Sequence, residues 1–118
     1  MNPQTTQPPQ IIPFVSIRFK LPADHRIFGA FPPGQVANLE LMGASILEDF
    51  KRFKIAVQIS HRTGTLEDGT ILLAVADPAR VVDEVKPFLK TCDMLEFVTI
   101  HIVEIEAVVR NRQVFPES

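Results

Sequence analysis

At 118 residues the chain is long enough for one domain that buries roughly two thirds of its unfolded surface, and 46% hydrophobic with 22% charged residues is the balance of a soluble globular protein. A net charge of −2 supplies no basic field for gripping phosphate backbones, and the absence of Trp and Tyr removes two side chains favoured for base stacking and interface hot spots. Cys92 is the only cysteine, so no intrachain disulfide is expected, and no apolar run approaches the ~18 residues of a membrane helix.

The opening decapeptide MNPQTTQPPQ has neither a positive start nor an apolar stretch, so it does not read as a secretory signal, and a cytoplasmic location is the expectation. Three prolines, three glutamines and two threonines give residues 1–10 little to bury, and they read as a flexible, Pro/Gln-rich tail preceding one domain over 11–115.

Residues 11–21, IIPFVSIRFKL, alternate: Val15, Ile17, Phe19 and Leu21 against Phe14, Ser16, Arg18 and Lys20. Period two predicts a half-buried strand, with Pro13 at its start, where a missing N–H is tolerated. The connection at 22–34 is rich in Pro and Gly yet carries Ile27, Phe28 and Phe31. Such side chains either fold back over the core or meet a partner.

From Gln35 to Phe53, Val36, Leu39, Met42, Ile46, Leu47, Phe50 and Phe53 recur in steps of three and four, the stripe of an amphipathic helix. Gly43 inside it costs about 1 kcal/mol relative to Ala and marks close packing. Residues 54–62 alternate with Ile55, Val57 and Ile59 inward, and 70–76 alternate with Ile71, Leu73 and Val75 on one side. Between them ISHRTGTLEDGT, residues 59–70, contains the turn dipeptide Asp68-Gly69. Its glycines do not fit a dinucleotide fingerprint, no Lys-Ser/Thr and helix follow, and Glu67 and Asp68 repel anions, so it reads as a polar hairpin tip.

A second helix opens at Asp77 as N-cap with Pro78 in its first turn, and Val81, Val85, Leu89 and Cys92 share one face. Pro87 should kink it or end its regular part early. The last run, from Leu95, is extended: Val98, Ile100 and Ile102 share a face, then Ile105, Ala107 and Val109 follow in the other phase. A β-bulge near Val103–Glu104, or a break into two strands, accounts for the slip.

Strand, helix, strand, strand, helix, strand is the ferredoxin-like βαββαβ series. It predicts an α+β fold with a four-stranded antiparallel sheet and two helices on one face. That architecture spans 11–110 and hosts many functions.

No catalytic constellation, cofactor motif or metal-ligand spacing emerges. His25, His61 and His101 lack nearby ligand partners, and Cys92 falls on an apolar helix face. Nor does the open sheet face carry the aromatics of an RNA-recognition module on its central strands. Small and apolar residues at its middle with polar ones around them suit packing on another protein. The leading expectation is therefore a non-enzymatic assembly subunit that binds itself or another protein, and neither nucleic acid nor membrane. Phe14, Leu72, Val103, Ile105, Phe28 and Phe31 are its candidate interface residues. The alternative is a small-molecule enzyme or sensor whose pocket lies between the sheet face and the 22–34 loop. Ser16, Arg18 and His101 would line it, with His61 and Arg62 as further binding candidates.

Overall fold

The computed structural model describes residues 12–29, 39–105 and 109–116. The tail at 1–10, Phe31 and Ala107 lie outside them. The described residues form five strands and two α-helices: β1 (Ile12–Phe19), α1 (Leu39–Arg52), β2 (Val57–Gly64), β3 (Gly69–Val75), α2 (Pro78–Thr91), β4 (Val98–Ile105) and β5 (Val109–Phe115). The sheet order is β2-β3-β1-β4-β5, and every neighbouring pair is antiparallel. The first four strands keep the arrangement expected of βαββαβ, so the fold is α+β as anticipated. The expected four strands are in fact five, because β5 returns along β4 and covers what would have been an edge.

The same hairpin resolves the phase slip in the last run. β4 pairs with β1 in unbroken register from Phe19↔Val98 to Ile12↔Ile105, so no bulge lies at Val103–Glu104. Ile105 simply continues the open face begun by Thr99, His101 and Val103, and the chain then breaks into a second strand. Register irregularities lie elsewhere, between Ile59 and His61 in β2 and at Ile100/His101 in the β4–β5 pair.

Alternation fixes which face is buried. Val15, Ile17 and Phe19 of β1 are fully buried, as are Ile71 and Leu73 of β3 and Ile100 of β4. Against them lie Leu39, Met42, Ile46 and Phe50 of α1 and Val81, Val82, Val85 and Leu89 of α2 in one continuous core. Each of these large side chains contributes roughly 1.5–3 kcal/mol by leaving water. Both helices thus cover one side, and among the described residues the other side of the sheet is open.

Local signals account for most boundaries. Asp77 caps α2, its side chain accepting from the Arg80 N–H at 3.3 Å, and Pro78 occupies the first turn. α2 continues through Pro87 to Thr91 rather than ending early; Pro87 sits on the exposed face, away from the buried stripe. Phe53, read as part of the α1 stripe, is instead 46% exposed, because the helix ends at Arg52 and the chain turns away.

Gly43 is buried where α1 crosses β2, and a Cβ there would stand 2.6 Å from Ile59 Cδ1, the close approach its position implied. In the β2–β3 hairpin, Leu66 departs from a wholly polar tip. It is fully buried, and its carbonyl accepts from the Leu21 N–H at 3.0 Å.

Candidate functional site

The register aligns side chains of the open face into rows across the strands. One row reads Gln58, Ala74, Phe14, Val103, Asn111; the next reads His61, Leu72, Ser16, His101, Gln113; a third reads Thr63, Thr70, Arg18, Thr99. On the other side of the first row, Ile12 pairs with Ile105. The face therefore has two ends. Ile12, Ile105, Phe14 and Val103 make one end apolar, with Leu72 beside them. The other end is polar and basic, through Arg18 and Lys20.

Ile12 is 50% exposed and Ile105 38%, and with Phe53 they are the exposed large hydrophobics among the described residues. Phe14, Leu72 and Val103 are half-buried beside them. Phe28 is placed differently. It packs partly buried against the core within the short 3-10 turn Arg26–Gly29. That turn is tied down by Arg26, which donates to the Thr91 carbonyl at 3.0 Å and to the Asp93 carboxylate. Beside it His25 is buried. Its Nδ1 accepts from the Ile27 N–H at 3.0 Å, so Nε2 carries the proton donated to the Asp93 carbonyl at 2.7 Å. His25 is thus a structural residue of the loop.

At the polar end Ser16, Arg18 and His101, the residues expected to share a pocket, do line one concavity of about 440 Å³. Among the described residues its walls come from β1 with the following Lys20 and from β3, β4 and β5, and no residue of the described part of the 22–34 loop lines it. Lys20, Thr70 and Thr99 complete it on one side, Asn111 and Gln113 on the other. Arg18 Nη2 donates to Asp68 Oδ1 of the hairpin tip at 3.0 Å, with both side chains more than half exposed. His101 Nδ1 meets Asn111 Oδ1; since that oxygen can only accept, Nδ1 is the donor and Nε2 is left free.

His61 and Arg62 do not join this group. The extra residue Ser60 shifts the phase of β2, so His61 faces the open side opposite Leu72 while Arg62 turns toward the helices and approaches Glu40 at 3.8 Å. Both line a separate concavity of about 500 Å³ at the β2 edge. Of the residues the sequence did not single out, Asn111 and Gln113 stand on β5, whose only signal is their alternation with Arg112 and Val114.

Among the described residues no group of three His, Cys, Asp or Glu side chains is placed to hold a metal ion, and no helix is long and apolar enough to cross a membrane. Comparison with protein-family models, with curated proteins and with solved structures finds no match to this chain.

Proposed function

We propose that the chain is an assembly subunit that pairs with a second copy of itself through the apolar end of its open sheet face. The observation that carries this reading is the cross-strand pair Ile12–Ile105, both substantially in water and continuous with Phe14 and Val103. Covering such side chains returns roughly 25 cal/mol for each Å² of apolar area removed from water.

Charge selects the geometry. Two identical sheets stacked in full overlap about a two-fold axis along the strands would set Arg18 and Lys20 against their own copies. An axis across the strands near Phe14 instead brings the apolar ends together and carries the basic ends past the edge of the partner. The contact is then isologous and offset. A second reading, a small-molecule sensor or enzyme, is supported by the grouping of Ser16, Arg18 and His101 in one concavity.

Sedimentation equilibrium of the full chain tests the pairing. A dimer at micromolar concentration is expected, and Ile105→Asp should weaken it by about tenfold or more while the subunit stays folded by circular dichroism. Two results would reject the reading: a strict monomer, or unfolding of the Ile105→Asp subunit, which would place Ile105 inside the core.

A further inference from the structure

We propose that the basic end of the open face binds a small hydroxylated organic anion, one carrying a carboxylate or phosphate at one end and a hydroxyl at the other. The concavity brings Arg18 and Lys20 together; the Asp68 carboxylate, outside its lining, pairs with Arg18 at 3.0 Å, and Lys20 has no such partner among the described residues. Arg18 commits only one N–H, through Nη2, to Asp68, which leaves further donors of its planar fork free to hold an oxyanion. Among the described residues the Lys20 ammonium and the Ser16, Thr70 and Thr99 hydroxyls have no protein partner. Uncommitted donors on both sides of two cations are what an oxyanion needs.

The register sets the second contact. Thr70, Arg18 and Thr99 form one row, and Ser16, His101 and Gln113 form the next, two residues along each strand. Two residues of strand span about 7 Å, so a ligand anchored at Arg18 has the His101 row about that far to one side, with Lys20 one step further out on the other. There the bond to Asn111 occupies Nδ1 and leaves Nε2 free to hydrogen-bond a ligand hydroxyl. A volume of about 440 Å³ suits a molecule of this size and falls in the range of ordinary ligand sites. In the offset contact above this end stays uncovered, so the site does not depend on the pairing.

Ribose 5-phosphate and gluconate present phosphate and carboxylate, respectively, with hydroxyls at the required reach, and inorganic phosphate presents the charge alone. Titration calorimetry of the full chain at low salt should give saturable, millimolar or tighter binding of at least one of the two hydroxylated anions. The one that binds identifies the anionic group. Inorganic phosphate should bind more weakly. Arg18→Gln and Lys20→Gln should each weaken binding by about tenfold or more, as loss of a charge-assisted bond does. Lys20 is exposed and unpartnered, so its variant keeps the fold and isolates the charge. His101→Phe should erase the preference over inorganic phosphate. No saturable response to either hydroxylated anion, or binding unchanged in both the Arg18 and Lys20 variants, would overturn the site.

Discussion

Lys54 and Asp93 occupy the same place at the ends of the two helices: each is the left-handed residue that terminates its helix, at φ 56° and 57°. At the end of α1, Lys54 N–H donates to the Lys51 carbonyl at 3.1 Å and Ile55 N–H to Phe50 at 3.2 Å. At the end of α2, Asp93 N–H donates to Lys90 at 3.0 Å and Met94 N–H to Leu89 at 2.8 Å. Both are Schellman motifs, closed by the apolar pairs Ile55–Phe50 and Met94–Leu89. Glycine is the usual residue at that position because a Cβ there is strained.

Lys54→Gly should therefore stabilise the protein. Lys54 is exposed and its side chain makes no contact that the change removes, so relief of the left-handed strain is worth about 1 kcal/mol, or a Tm rise of about 4 °C. Asp93→Gly should gain less, because it also removes the carboxylate that Arg26 holds. Thermal unfolding of the two variants side by side checks the order.

Gly43 predicts the opposite sensitivity. Its hydrogen faces Ile59, so Gly43→Ala sets about 1 kcal/mol of helix propensity against displacement of the flexible Ile59 Cδ1 methyl. These two effects nearly cancel. Gly43→Val adds bulk that one methyl rotation cannot clear, next to Ile71 as well, and should destabilise by about 1–3 kcal/mol in urea denaturation.

Cys92 is a thiol held in reserve by its surroundings. Burial pushes its pKa up, with Arg26 opposing and Asp93 and Asp49 reinforcing. Native protein should accordingly react with iodoacetamide more slowly than unfolded protein at neutral pH, and its rate should climb at higher pH than that of an ordinary thiol. The linked stability has a definite sign. With the folded pKa above the unfolded one, the thiol's contribution is intact below the unfolded pKa and is lost as pH rises through the folded value. Cys92→Ala should flatten that alkaline fall in a urea series.

Periodicity made β1, β2, β3 and both helices legible, since each has one face that must leave water. The helix ends were harder to read, because Lys54 and Asp93 lack the glycine that announces such a turn. β5 is only half legible for a related reason: residues 106–108, Glu-Ala-Val, contain no Gly, Pro, Asn or Asp, so the slipped phase fits a bulged strand as well as the break into two strands that the structure has. With the register of β5 unmarked, Asn111 and Gln113 could not be added to Ser16, Arg18 and His101. The grouping of those three followed from alternation alone. The Ser60 bulge, which leaves no compositional mark, turns Arg62 off the open face and His61 onto it, in the row of Ser16 and His101 but out at β2.

Leu66 supplies the sharpest test of the hairpin. It lies between Thr65 and Glu67 in a tip whose other side chains are polar, yet it is fully buried and belongs to the main core. Two backbone contacts hold it there: Thr65 N–H donates to the Asp68 carbonyl at 3.1 Å, and Leu21 N–H donates to Leu66 itself at 3.0 Å. Gly69 makes the fold of the tip possible, since a Cβ there would strike the Thr65 backbone oxygen. A loop leucine in water would tolerate truncation. Here Leu66→Ala removes a core side chain whose site is fixed on both sides by backbone bonds, so little collapse into the cavity is available. The expected cost is about 2–5 kcal/mol, a Tm fall of about 10 °C or more, comparable to Leu73→Ala in the middle of the sheet. Glu67→Ala beside it should change stability by no more than about 0.5 kcal/mol. If Leu66→Ala were as mild as Glu67→Ala, the tip would not be part of the core.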